Sequence, residues 1–117
     1  MVELKIIEEV TDELMQEIVY RIVEVVDPEK IILFGSYAHG EIHKHSDLDI
    51  LVIMESPLPR YKRSLPVYDA ICGLLFPIDV LVYTPCEVED WKNVPEAFIT
   101  TAVRTGRVLY EKQNRSC

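Results

Sequence analysis

Three short apolar segments, each bounded by turn residues, constrain the fold of this chain more than any other feature of its sequence. They cover residues 30–34, 47–54 and 78–83, and their length and β-branched content predict buried strands. The connection between the first two segments is too short for a regular crossover helix, so we expect these two strands to run antiparallel. The prediction is an α/β (α+β) fold in which helices flank a small mixed sheet.

Helical patterns surround the predicted strands. Apolar residues recur at spacings of three and four over 11–26, which predicts a helix capped by Thr11 and ended by Asp27-Pro28. Glu17 and Arg21 are spaced to pair on its outer side. The later segments are predicted as a helix over 64–75 capped by Ser64, a turn at 88–91, a helix from Pro95 to Gly106, an edge strand at 108–110 and a polar tail from Glu111.

Size and charge limit the possible functions. The chain has 117 residues, which predicts one domain over 1–117 with its core in about 30–110. It carries 12 basic and 20 acidic residues, a net charge of −8. That balance disfavours general nucleic-acid binding and suits a basic protein partner. Neither a membrane-spanning run nor a signal-peptide pattern is found, so a cytoplasmic location is expected.

The cysteines indicate neither a disulfide framework nor a zinc site. The chain has three cysteines, an odd number, and they are widely spaced: Cys72, Cys86 and Cys117. This pattern is typical of reduced thiols.

Two aspartates open the second predicted strand. Asp47 and Asp49 are two residues apart, so their carboxylates project from the same side of a strand and repel each other. A divalent cation such as Mg²⁺ would neutralise that repulsion, while a solvated strand end is the alternative. Asp79 lies in the apolar third strand and needs either a basic partner or a bound metal.

A glycine and a serine follow the first predicted strand. Gly35 would allow a close approach of the backbone to a ligand, and Ser36 adds a hydroxyl group. Free N–H groups at the start of a following helix would suit a phosphate. An ordinary turn between a strand and a helix is the alternative interpretation.

Together these residues form a recognisable motif. Gly35-Ser36, ten further residues and Asp47-Leu48-Asp49 fit the pattern Gly-Ser-x10-Asp-x-Asp, which resembles the DNA polymerase β-like nucleotidyltransferase superfamily. The stretch LFGSYAHGEIHKHSDLDILV resembles the minimal nucleotidyltransferase (MNT) branch of that superfamily. The resemblance covers most of the chain.

The resemblance implies a site and a reaction. Asp47 and Asp49 would bind two Mg²⁺ ions, and Asp79 would share one of them and help to activate the acceptor hydroxyl. Gly35 and Ser36 would hold the outer phosphates of the nucleotide. The implied reaction transfers AMP from ATP to a hydroxyl group and releases pyrophosphate.

The resemblance also implies a partner. Minimal members of the family commonly act as antitoxins that adenylylate a tyrosine of a HEPN-domain ribonuclease, so a HEPN-type toxin is the expected partner. Two alternatives stay open: a non-catalytic antitoxin that masks its partner, and a stand-alone transferase with a small-molecule acceptor. Homo-oligomerisation could form a pocket for such an acceptor.

The chain departs from the family pattern near the glycine. Many relatives carry an arginine where Tyr37 or His39 stands here. Lys44, Arg60 or Lys62 could contact the phosphate instead, or could be solvated surface residues.

The histidines form a second candidate cluster. His43-x-His45-x-Asp47 has a spacing possible for a transition metal, but polar loop residues are the favoured interpretation. His43 or His45 could also touch the substrate, because both are close to Asp47 in the sequence.

Overall fold

The computed structural model describes residues 5–6, 12–35 and 48–112. Its helices and strands follow in chain order, with one 3₁₀ turn at Arg60–Lys62: β1 Lys5–Ile6, α1 Asp12–Val26, β2 Lys30–Phe34, β3 Leu48–Ile53, α2 Leu65–Ala70, β4 Leu74–Leu75, β5 Ile78–Tyr83, α3 Pro85–Trp91, α4 Phe98–Thr105 and β6 Arg107–Glu111.

The main sheet has four strands in the order β5-β3-β2-β6. β2 runs antiparallel to β3 and to β6, and β3 runs parallel to β5. The predicted mixed sheet and the antiparallel first pair are therefore confirmed. The sequence did not predict the separate two-stranded pair that β1 forms in parallel with β4.

Helices cover both faces of this sheet. Because side chains alternate along a strand, β3 contributes Leu48, Ile50 and Val52 to one cluster and Leu51 and Ile53 to the other. Residues from α1 and α2 complete the first cluster, and residues from α4 complete the second: Ile18, Ile22, Val67 and Ile71 on one side, Ile99 and Ala102 on the other.

The first helix matches its prediction closely. Arg21 Nε lies 2.9 Å from Glu17 Oε1, as the spacing of four predicted. The helix ends before Asp27, whose φ is +47°, and Pro28 is buried. Thr11, the predicted cap, lies outside the described residues. Within the part of the chain that the structure describes, no helix has the length and apolar content to cross a membrane.

Two predictions between β3 and α4 were wrong. The predicted turn at 88–91 belongs to the helix Pro85–Trp91. Thr84 caps this helix, accepting a hydrogen bond from the Glu87 N–H while the Glu87 carboxylate accepts one from the Thr84 N–H. Thr84-x-x-Glu87 is a capping-box pattern that sequence reasoning missed. The predicted helix over 64–75 ends at Ala70, since Gly73 takes a φ of +100° and the next residues pair with β1.

The end of the chain also differs from its prediction. The last helix begins at Phe98 and not at Pro95, and Gly106 after it has an extended backbone. Gly106 is needed for space, because a Cβ there would lie 2.5 Å from Ile32 Cγ2. Glu111 belongs to β6, and Lys112 Nζ lies 3.0 Å from Asp27 Oδ2. The remaining predicted tail, residues 113–117, lies outside the described residues.

Candidate functional site

Two acidic residues lie side by side at one end of the sheet. Asp49 of β3 and Asp79 of β5 are partners in the parallel register, and neighbouring strands are about 4.8 Å apart. Both side chains lie on the face that α4 covers, because Leu51, two residues after Asp49, packs in the α4 cluster. Asp49 is half-buried and Asp79 is exposed. Two carboxylates thus share one face at one end of two adjacent strands.

Gly35 lies against the first of these carboxylates. It follows β2 directly, and Phe34, the last residue of β2, pairs with Asp49. The φ of Gly35 is +78°, in the left-handed region that side chains rarely adopt. A Cβ at this position would clash with Oδ2 of Asp49. The glycine therefore leaves room for the Asp49 carboxylate.

The structure thus brings together three of the five residues predicted for the site: Gly35, Asp49 and Asp79. The other two, Ser36 and Asp47, lie outside the described residues; they are the chain neighbours of Gly35 and Leu48. Lys44 and the three histidines lie outside as well. Cys72 and Cys86 are exposed free thiols.

The donor chemistry of the site fits a hard divalent cation. Carboxylate oxygens are the ligands that Mg²⁺ prefers, and a cation relieves the repulsion between neighbouring carboxylates. Among the described residues, no group of three His, Cys, Asp or Glu side chains forms a metal site. The described part of the chain thus offers a pair of acids, to which Asp47 would have to add the third.

Tyr68 of α2 contacts the strand edge next to Asp79. Its hydroxyl oxygen accepts a hydrogen bond from the Val80 N–H at 2.9 Å. Tyr68 lies within the helix predicted over 64–75, for which the sequence indicated no functional role. No sequence signal could have located this contact, because it depends on how α2 packs beside β5.

Arg60 and Lys62 lie away from Gly35. The Arg60 guanidinium carbon is 5.1 Å from the centre of the Tyr83 ring, and Lys62 Nζ is 5.7 Å from the centre of the Tyr61 ring. Tyr83 is four residues along β5 from Asp79, a distance of about 13 Å. β3 and β2 separate β5 from Gly35. The structure therefore does not bring Arg60 beside the predicted phosphate-binding glycine.

A cavity of about 580 Å³ lies at the opposite end of the same sheet. Several of its charged lining residues form ion pairs: Lys30 pairs with Glu111 at 2.8 Å, and Glu89 pairs with Lys92. Lys30 begins β2, whereas Gly35 follows its end. This cavity is therefore separate from the acidic pair, and none of the described site residues lines it.

The model of the family described as "Polymerase beta, Nucleotidyltransferase" matches residues 16–115, a span that includes Gly35, Asp49 and Asp79. The chain belongs to the polymerase β nucleotidyltransferase family. It is 35% identical over 83 residues to a protein of Methanocaldococcus jannaschii named "Putative protein adenylyltransferase MJ0604", an alignment that covers 69% of this chain and 77% of that relative. The resemblance inferred from Gly-Ser-x10-Asp-x-Asp is confirmed, and the chain is a nucleotidyltransferase.

Solved structures show the same fold. A Sulfolobus solfataricus protein described as a "putative nucleotidyltransferase" is 27% identical with a TM-score of 0.53, covering 67% of this chain and 70% of that one. A toxin–antitoxin structure with AMP-PNP is 21% identical with a TM-score of 0.57, and an MntA-HpeT toxin–antitoxin mutant is 18% identical with a TM-score of 0.55. Each of these two covers 85% of this chain, which covers 74% of theirs.

Proposed function

We propose that this nucleotidyltransferase transfers AMP from ATP to a hydroxyl group on a partner protein. The observation that carries the proposal is the pairing of Asp49 with Asp79 in register, with Gly35 packed against the Asp49 carboxylate. Two further findings support it. One relative is named a protein adenylyltransferase, and one structure of the same fold contains an ATP analogue.

Asp47, Asp49 and Asp79 are the proposed ligands of two Mg²⁺ ions. When bound, the metal would neutralise phosphate charge and stabilise the attacking and leaving oxygens of the displacement. The MntA-HpeT mutant carries glutamate in place of two aspartates that are two positions apart, the same spacing as Asp47 and Asp49.

The remaining roles follow from the order of the strands. Gly35 and Ser36 would contact the outer phosphates on the β2 side of Asp49. Asp79, exposed on the β5 side, would take the proton of the acceptor hydroxyl. The hydroxyl oxygen then bonds to the α-phosphorus of ATP. The bond between the α-phosphorus and the oxygen that bridges to the β-phosphate breaks, and pyrophosphate leaves.

The proposed acceptor is a tyrosine of a HEPN-type toxin, for which this protein would act as the cytoplasmic antitoxin. The toxin–antitoxin assemblies of the same fold support this proposal. The net charge of −8 suits a basic partner.

The test is intact-mass spectrometry of the protein with the partner that co-purifies with it, before and after addition of MgATP. We expect the partner to gain whole AMP units with the wild type and none with Asp49→Asn or Asp79→Asn. Asp90→Asn is the matched control, because Asp90 is an exposed aspartate on α3.

A stable complex without any mass change would favour the masking antitoxin over the enzyme. Normal transfer by Asp79→Asn would remove Asp79 from the proposed mechanism.

A further inference from the structure

Among the described residues, one strip of the sheet beside the acidic pair is only partly covered: Asp79 and Leu81 are exposed, and Tyr83 is half-buried. Asp79, Leu81 and Tyr83 project from β5 on the face that α4 covers elsewhere; we call these three residues the β5 track. Leu51 is the register partner of Leu81 on β3. Leu51 is completely buried, yet Leu81 is 40% exposed. The helical layer therefore covers β3 and leaves an apolar residue of β5 open next to Asp79.

The strand order gives the nucleotide phosphates and the acceptor different sides of the site. Gly35 follows β2 and Asp79 lies on β5, so they are on opposite sides of Asp49. If the nucleotide phosphates lie at Gly35, as the proposed function has it, the acceptor hydroxyl approaches from the β5 side. The β5 track is the surface that an acceptor on this side would meet.

A positively charged side chain, that of Arg60, lies at the Tyr83 end of the track. Arg60 is exposed and lies over the Tyr83 ring, about 13 Å along the strand from Asp79. Neither Arg60 nor Lys62 forms an ion pair within the described residues. In a protein of net charge −8, this end of the track is thus a local basic patch that can attract an acidic side chain.

The segment that carries Arg60 is held firmly in place. Arg63, three residues later, binds Glu87 at 2.6 Å and also donates to the Leu58 carbonyl at 3.3 Å. Only 15% of the Arg63 side chain is exposed. The position of Arg60 relative to β5 is therefore built into the fold, which lowers the entropy lost when a ligand binds there.

We propose that the β5 track is the docking surface for an extended acceptor segment of the protein substrate. The acceptor tyrosine lies at Asp79, an apolar side chain two positions away covers Leu81, and an acidic side chain four positions away contacts Arg60. The spacing follows from the period of an extended chain, in which residues two and four apart share a face. This inference rests on the proposed function and adds a sequence preference to it.

The test uses two synthetic peptides and the full-length protein. Each peptide has one central tyrosine and leucine two positions away on both sides. One carries aspartate four positions away on both sides, and the other carries lysine there. The measurement is the MgATP-dependent rate of AMP addition to each peptide at low peptide concentration, followed by mass spectrometry.

We expect the wild type to modify the aspartate peptide roughly two- to fivefold faster, the effect of an exposed ion pair. Arg60→Glu should reverse this preference. Arg104→Glu is the control, because it introduces the same charge change at an exposed arginine of α4 outside the track, and it should keep the wild-type preference.

Equal rates on both peptides would overturn the docking inference and leave the proposed transfer intact. So would transfer to the co-purified partner without transfer to either peptide. Absence of transfer to every acceptor would contradict the proposed function itself, and the docking inference would fall with it.

Discussion

At Gly35 the backbone φ is +78°, and the Asp49 carboxylate occupies the space where a side chain would begin. Two costs would therefore fall on any other residue at this position. Backbone strain would destabilise the fold, and the new side chain would displace a carboxylate of the candidate site. The sequence motif indicated a glycine for close approach of a phosphate; the structure adds a reason that lies within the protein.

Gly35→Ala is expected to abolish AMP transfer and to lower stability by about 1–3 kcal/mol. Gly73→Ala is a matched control, since Gly73 also has a positive φ, +100°, but lies between α2 and β4. Both variants should unfold more easily, and only Gly35→Ala should lose activity when assayed well below its melting temperature. Full activity of Gly35→Ala would contradict the packing described here.

The sequence indicated candidate site residues but not how the fold arranges them. Period-two alternation predicts that Asp47 and Asp49 share a face, and of these two residues the structure describes only Asp49. It could not give the register that sets Asp79 beside Asp49, because parallel pairing depends on the packing of the whole sheet. For the same reason, the sequence offered Arg60 as a phosphate contact, whereas the structure places it along β5.

At the scale of the elements, each of the two edge strands of the main sheet has a feature that disfavours pairing with a further strand. β6 shifts register against β2 between Ile31 and Ile32, and such an irregularity disfavours pairing with a further strand. β5 has its Val80 N–H bonded to the Tyr68 hydroxyl. A docking peptide would accordingly lie on the face of β5 and not extend the sheet.

Tyr68→Phe removes this hydrogen bond and leaves the ring in place. We expect a loss of about 1 kcal/mol in the free energy of unfolding, together with faster hydrogen exchange at the Val80 amide. Chemical denaturation and amide exchange measure the two effects. Unchanged protection of the Val80 amide would show that the hydroxyl does not cap this edge.

The start of α3 is stabilised by a charge. Burial alone would raise the pKa of the Glu87 carboxyl, but hydrogen bonds from Thr84 and Arg63 and the attraction of the Arg63 charge hold this pKa below its ordinary value of 4.5. A carboxyl with a lowered pKa stabilises the fold above its pKa in the unfolded chain. That contribution is lost as the pH falls through the pKa of the folded state.

The melting temperature of the wild type should therefore exceed that of Glu87→Gln at neutral pH, and the difference should shrink below about pH 4.5. Thermal denaturation of both proteins across this range measures it. A difference that stays constant down to pH 3 would mean that the Glu87 charge does not contribute.

The predictions for the elements succeeded where the pattern was local. The 3.6-residue period of α1 and the apolar runs of β2, β3 and β5 were sufficient on their own. The predicted helix over 64–75 failed because Gly73 and the pairing of β4 with β1 end it early. That pairing joins segments far apart in sequence, which no local pattern reports.

At the scale of the whole molecule, the strand order puts the proposed phosphate and acceptor positions on opposite sides of β3. The β2 side of the site carries Gly35, which is proposed to contact the phosphates. The β5 side carries the track that is proposed for the acceptor. The charged cavity lies at the other end of the sheet and is lined by acidic residues that include Glu29, Glu89 and Glu111. It has no glycine beside a pair of carboxylates among the described residues that line it. The two ends of the sheet are thus the alternatives for binding a metal–nucleotide complex.

Paramagnetic line broadening by MnATP tests this choice most directly. Substoichiometric MnATP added to the ¹⁵N-labelled protein should first broaden the amide signals of Gly35, Asp49 and Asp79 and spare those of Glu89 and Glu111. Asp49→Asn should weaken that effect. Broadening that begins at Glu89 and Glu111, or that Asp49→Asn leaves unchanged, would contradict the assignment of the acidic pair as the nucleotide site.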